Sequence, residues 1–360
     1  MAERTLAERL QFEGARGLLS RLSPYSQRVL PAHTRLVDGL ALSPDLQLML
    51  ALRPVTGGKA WHEVSVKHAR AMMRRESRLS AGPKLQVGPV RTFEIPGAAG
   101  PMRVRHYVSS ELGVRPLLVF FHGGGFLFGD LDTHDQPCRY LAKYAGVHVL
   151  SVEYRLAPEH PFPAGLEDAY AGYLWALENA AALGADPAQI LVGGDSAGGN
   201  LAAVVSQLAK QNQKPLPVLQ LLLYPAVDRV NPYRSLELFA EGFFLSRRDI
   251  DYTYKTYAPG SNPRDPRLGP IFAPDLSGLS PAFVVTAGFD PLRDEGEAYE
   301  SALRKAGVTT RLHRVPDLIH GFINMTGLSP ACEAALIGVA DMTRNFLATL
   351  ANRPKTRESA

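Results

Sequence analysis

The feature that most constrains this chain is the stretch Ile190-Leu191-Val192-Gly193-Gly194-Asp195-Ser196-Ala197-Gly198-Gly199-Asn200. It reads as a short apolar strand, an abrupt turn, and a helix running through Leu201 to about Gln211. A turn that sharp needs small residues around its apex, and Gly194 and Gly198 stand two residues either side of Ser196. Such a turn lifts a serine hydroxyl off the end of a strand. It also aims the first N–H groups of the helix, with the positive end of its dipole, at whatever bonds to that oxygen. Taken alone, a Gly-x-Ser-x-Gly pentapeptide is often only a turn. Set between strand and helix, it makes Ser196 a candidate nucleophile that needs a base, an acid and an oxyanion hole.

The rest of the chain alternates in the way such a turn requires. Residues 1–84 read as helical: Leu6, Leu10, Ala15, Leu18, Leu19 and Leu22 fall near helical spacing, Pro44 suits a first helical position, and Trp61 to Arg75 suits another helix. From Val90 the period becomes two. Val90–Ile95 and Met102–Val108 alternate around Pro96-Gly97, which predicts an antiparallel hairpin. Pro116–Phe121 is a continuous apolar run, the pattern of a strand buried on both faces. Strands at 147–152, 190–192, 219–224, 282–288 and 310–315 then alternate with helices at 134–145, 164–182, 200–211, 294–306 and 329–350. Residues 226–275 break the rhythm, with a helix around Arg248–Tyr257, and read as an insertion. The expected fold class is α/β, a mostly parallel central sheet flanked by helices, with its chemistry at the carboxyl ends of the strands.

Three strand ends carry candidates. Strand 117–121 runs into His122-Gly123-Gly124-Gly125-Phe126, where successive glycines let backbone N–H groups turn inward beside that of Ala197. Without a following Gly-Lys-Ser/Thr this is not a phosphate loop. Strand 282–288 is followed by Asp290, the first polar residue past the strand and also a suitable helix cap. Strand 310–315 is followed by His320, with Gly321 after it. The chain order Ser196, Asp290, His320 is the order of an α/β-hydrolase triad.

His122-Gly123-Gly124-Gly125, Tyr154 to Glu159, Gly194 to Gly199, Asp290 to Asp294 and His320-Gly321-Phe322 together resemble the hormone-sensitive lipase-like carboxylesterases, the bacterial family IV esterases. The resemblance covers about residues 42–350. It implies an α/β-hydrolase core at 86–225 and 276–352, and a helical cap built from residues 1–85 and 226–275, of which 1–41 are an extension beyond the usual start. It further implies short-to-medium acyl esters as substrates and no cofactor. Ser196 would be the nucleophile, His320 the base, Asp290 its partner, and the N–H groups of Gly124, Gly125 and Ala197 the oxyanion hole. His122 would anchor that loop. A homodimer is plausible on the same ground.

Phe126, Phe128, Phe243, Phe244, Leu245, Phe289 and Ile319 are candidates to line an apolar acyl or alcohol pocket, with plain core packing as the alternative reading of each. An amidase or aryl amide deacetylase, or a lipase, would use the same triad. A non-catalytic ligand receptor on this fold is expected to lack a triad member, and none is lacking here. Charge adds little. Residues 1–84 hold 14 Lys/Arg against 7 Asp/Glu and the remainder 25 against 28, with no basic, aromatic-laced cluster to suggest nucleic acid. Cys138 and Cys332 form neither a disulfide framework nor a metal pattern. No run of apolar residues is long enough to span a bilayer and no secretory signal is evident, so the expected location is the cytoplasm.

Overall fold

The apolar runs become the middle of one eight-stranded sheet. The computed structural model describes residues 35–53 and 59–352. The strands are β3 (Val90–Gly97), β4 (Gly100–Tyr107), β5 (Arg115–Phe121), β6 (His148–Val152), β7 (Ala185–Asp195), β8 (Gln220–Leu223), β9 (Ala282–Phe289) and β10 (Thr310–Ile319). Their order across the sheet is β10-β9-β8-β7-β5-β6-β4-β3. From β10 to β6 all pairs are parallel, and the hairpin β3–β4 adds an antiparallel edge beside β6. A separate two-stranded ribbon, β1 (Leu36–Val37) and β2 (Leu40–Ala41), precedes the sheet.

Central strands are buried on both faces, and period two divides each between two cores. In β5, Leu117, Val119 and Phe121 join one cluster, while Leu118 and Phe120 join the other. On the first face lie α4 (Ala164–Asn179), α5 (Ala197–Gln211) and α8 (Arg293–Lys305), through Leu166, Tyr173, Leu201, Val205, Tyr299 and Leu303. On the second lie α3 (Asp135–Tyr140), continued by a wide turn over Leu141–Ala145, and α9 (Pro330–Ala351). At about 25 cal/mol per Å² of apolar surface, these two layers supply most of the drive to fold.

The differences from the sequence expectations are local. Residues 36–41 form the ribbon rather than helix, because Asp38 and Gly39 both take positive φ and turn the chain. The helix expected from Trp61 begins later: Trp61–Glu63 is a single 3-10 turn, and α2 (Val66–Ser80) starts where Ser65 Oγ accepts the His68 N–H. Helix α1 (Pro44–Leu52) does start at Pro44. The helical character expected before Arg35 lies outside the described residues.

Residues 226–275 contain α6 (Arg234–Leu238) and α7 (Arg247–Tyr257). Ser246 Oγ accepts the Asp249 N–H, which sets the start of α7. Asp249 also accepts the His62 N–H at 3.2 Å, and its Oδ1 lies 2.9 Å from His62 Nδ1, which ties α7 to the chain before α2. Arg70 of α2 donates to the carbonyls of Leu127 and Ala157 and pairs with Glu159, so α2 is fastened to two loops at the strand ends.

Candidate active site

Ser196 is the last residue before α5 and has φ +55° and ψ −118°. That region is costly for an L side chain, by roughly 1–3 kcal/mol, and holds only where surroundings over-determine it. Here they do. The Ser196 N–H donates to the Leu223 carbonyl at 2.8 Å, and its own carbonyl accepts from Asn200 and Ala226. A Cβ on Gly194 or Gly198 would collide with the Phe121 carbonyl, so only glycine lets α5 enter against β5.

β9 ends at Phe289 and delivers Asp290, fully buried, with Oδ1 accepting the Leu292 N–H at 2.8 Å. β10 ends at Ile319 and delivers His320. His320 Nδ1 lies 2.8 Å from Asp290 Oδ2, and Nε2 lies 2.9 Å from Ser196 Oγ. A carboxylate only accepts, so Nδ1 donates to it and Nε2 is left to accept from the serine hydroxyl. Three residues far apart in sequence thus form one hydrogen-bonded line. The Tyr224 ring packs 4.7 Å from the imidazole.

The glycine loop lies beside this line. Gly124 has φ +118° and Gly125 has φ +59°. The Gly124 carbonyl accepts from Leu127 and Phe128 and folds the loop back, while the N–H groups of Gly124 and Gly125 donate to no acceptor among the described residues. Phe126, at φ +63°, stacks on Tyr257 of α7 with centroids 3.9 Å apart. Thr253 of α7 fills the space where a Gly125 side chain would sit. His122 is buried against the Tyr154 ring, and its Nδ1 sits 2.8 Å from the Gly123 carbonyl. Burial, with His134 nearby, lowers its pKa to about 4, so it is neutral packing at neutral pH.

Two supporting residues were given no role by the sequence. Asp195 Oδ1 accepts the Gly123 N–H at 2.8 Å and lies 3.2 Å from His134 Nε2. Burial pushes the Asp195 carboxyl up, but His134, the Gly123 N–H and His320 together hold it below the usual carboxylate range. His134 comes from 61 residues upstream, at the start of α3, so only the folded chain brings the two together.

The seven apolar candidates separate by position. Phe243, Phe289 and Ile319 stand in the core on the far face, where Phe243 and Phe289 pack on Phe239. Phe126 and Phe128 stand in the other core, with Phe128 5.1 Å from Trp61. Phe244, half-buried at φ +77°, packs edge-on to Trp61 and touches the space over Gly321. Leu245 joins Ala226 and Leu292 in a small separate cluster, with Trp61 and Ile250 against it. Of the seven, Phe244 lies over Gly321, the residue after His320.

Both cysteines are free and buried, and burial raises both thiols, Cys332 to about 12. Among the described residues no group of three or more His, Cys, Asp or Glu side chains is arranged to hold a metal ion. None of the described helices is long and apolar enough to cross a membrane.

Comparison with known proteins gives the family. A family model described as alpha/beta hydrolase fold matches residues 118–324. The chain is 49% identical to the carboxylic ester hydrolase LipN of Mycobacterium tuberculosis, over 86% of this chain and 84% of the relative. It is 41% identical to the carboxylesterase NlhH of the same species, over 84% of this chain and 96% of that one. Among solved structures, an alpha/beta hydrolase enzyme from the metagenome of Lake Arreo superposes with a TM-score of 0.82 at 38% identity, covering 85% of this chain and 99% of that one. An esterase of Pyrobaculum calidifontis superposes with a TM-score of 0.78, also at 38% identity and with the same coverage.

Proposed function

This chain belongs to the hormone-sensitive lipase-like branch of the alpha/beta hydrolases and is a carboxylic ester hydrolase, and from that premise we propose that it works as a serine esterase on short-to-medium acyl esters. The observation that carries the reading is the line Ser196 Oγ, His320 Nε2, His320 Nδ1, Asp290 Oδ2, with its two links at 2.9 and 2.8 Å. His320 takes the serine proton as Oγ attacks the ester carbonyl, and Asp290 orients and stabilises the resulting imidazolium. The developing oxyanion is held by the N–H groups of Gly124, Gly125 and Ala197. Losing one such donor typically costs ~100–1,000-fold in rate. The imidazolium then protonates the departing alcohol, leaving an acyl-Ser196 ester. Water, deprotonated by His320, attacks that ester, the carboxylic acid leaves, and the proton returns to Oγ.

In this reading residues 226–275 and the helices before β3 act as a cap. The contacts of α7 with Gly125 and Phe126 support it, as does the anchoring of α2 by Arg70. Phe244, Leu245 and Trp61 would then meet the substrate.

The test is hydrolysis of p-nitrophenyl esters from acetyl to palmitoyl, with Ser196→Ala in parallel. Turnover concentrated at short and medium chains and abolished in the variant is expected. Turnover that survives in folded Ser196→Ala overturns the assignment, and a preference for the longest chains moves the reading to lipase.

A further inference from the structure

A cavity of about 140 Å³ lies between the loop after β8 and helices α6 and α7. Engineered cavities of about that size hold a molecule the size of benzene. Its lining includes Arg229, Glu295, Ile250, Asp251, Arg247 and Glu237. Ile250, which lines it, also packs against the small cluster of Ala226, Leu245 and Leu292. Ala226 in turn donates its N–H to the Ser196 carbonyl at 3.2 Å.

Arg229 is the unusual member of this lining. Its guanidinium lies on the face of the Tyr254 ring, and Nη1 is enclosed with no hydrogen-bond partner among the described residues. Burial lowers the guanidinium from its ordinary value, against the pull of Tyr254, Glu295 and Asp251. Tyr254 is on α7, with its ring 6.0 Å from that of Phe126 in the glycine loop. A buried guanidinium without a hydrogen-bonded anion is expensive, since a cation–π contact replaces only part of its hydration.

The acids around it do not supply the missing partner. Asp228 is committed to its own turn: it accepts the N–H groups of Val230 and Asn231, the Asn231 amide and the Tyr233 hydroxyl. Glu295 accepts the Val227 and Asp228 N–H groups through Oε1, and burial pushes its carboxyl up to about 8, so at neutral pH it is mostly a neutral acid able to donate. Glu237 and Asp251 are exposed at the rim with Arg247. A cation would meet two guanidiniums here, and a dianion would meet the two rim acids. A single carboxylate on a short apolar stem suits this lining, with Arg229 to pair with it and Ile250 as the apolar wall.

We propose that this cavity is a carboxylate subsite, in which Arg229 receives the carboxylate of a small organic acid, either as the acidic tail of an ester substrate or as a separate molecule. The first source rests on the esterase reading and makes Arg229 a specificity residue for half-esters of short dicarboxylic acids. The second does not depend on turnover.

Two arms separate the sources, both on the full chain. In the first, mono-p-nitrophenyl glutarate is compared with p-nitrophenyl pentanoate. The ratio of their kcat/KM values is expected to fall about tenfold or more in Arg229→Met, with partial recovery in Arg229→Lys. In the second, sodium propionate is titrated while Tm is followed, with sodium chloride and propionamide as controls. A separate carboxylate gives a saturable rise in Tm with propionate alone, lost in Arg229→Met. A wild-type protein that shows neither a half-ester preference nor a propionate-specific rise overturns the subsite without any variant. If p-nitrophenyl pentanoate is not turned over, the esterase reading has failed, and the Tm arm still decides the subsite.

Discussion

His134 Nε2 lies 3.2 Å from Asp195 Oδ1, the same oxygen that accepts the Gly123 N–H at 2.8 Å. The residue before Ser196 is therefore also the anchor of the glycine loop, and His134 steadies that anchor. His134 Nε2 further lies 3.2 Å from the Asn324 amide, four residues after His320. Exchanging the amide nitrogen and oxygen of Asn324 puts its otherwise unpartnered Oδ1 against the imidazole N–H. One buried imidazole thus touches the support of all three parts of the site. His134→Leu removes a hydrogen bond to a buried carboxylate. The expected cost is about 2–3 kcal/mol of stability, read by denaturant unfolding, with a fall in kcat that exceeds any rise in KM. Unchanged stability together with full kcat would show that Asp195 needs no such partner.

Ser196 carries backbone strain that glycine does not feel. At φ +55° and ψ −118° the side chain's one hydrogen bond, to His320, does not relieve the backbone conformation. Ser196→Gly is expected to raise stability by about 1 kcal/mol while abolishing turnover, and Ser196→Ala to abolish turnover without that gain. Thermal or urea unfolding of the three proteins decides it. A glycine variant no more stable than the alanine variant would mean that the turn is not strained.

Much of this arrangement was legible because it is local. The strand, turn and helix around Ser196 follow from glycine spacing, and Asp290 and His320 follow from being the first suitable polar residues past β9 and β10. The apolar run 117–121 announced a strand buried on both faces, and its side chains do divide between two cores. What local pattern could not show is contact between distant segments. His134 read as one residue of a helix, and Arg229 as one cation in an irregular insertion. The aromatic residues posed the same difficulty, since Phe289 and Phe244 look alike in sequence, yet one is core and the other sits near Gly321. The ribbon at 36–41 was missed because a two-residue strand has no period to detect.

The direction of the line from Asp290 through His320 to Ser196 sets the pH dependence of turnover. In the proposed mechanism only a neutral imidazole can take the serine proton, so kcat/KM is expected to fall on the acid side. Asp290→Asn should lower kcat steeply while leaving the fold, because an amide can present an N–H to Nδ1 and so select the wrong tautomer. A rate profile flat across about pH 5 to 8 would rule out a histidine base.

Stability should have its own pH dependence, carried by different groups. Burial beside His148 and Arg91 lowers His106 to about 4, and its Nε2 has no partner to favour the cation. The unfolded chain, with an ordinary histidine near 6.5, takes up the proton first as pH falls. The contribution is therefore intact above about 6.5 and is lost progressively as pH drops toward 4, by up to a few kcal/mol. Glu295 acts in the opposite sense. Burial raises it to about 8, so its contribution is full below the ordinary glutamate value and declines as pH rises from there through 8. His106→Phe should flatten the acid limb of a urea-midpoint profile, and Glu295→Gln should flatten the alkaline limb, each without altering the other. The Gln variant keeps an acceptor for the Val227 and Asp228 N–H groups, so its fold should persist. An acid limb unmoved by His106→Phe, or an alkaline limb unmoved by Glu295→Gln, would show that burial of that group does not govern its limb.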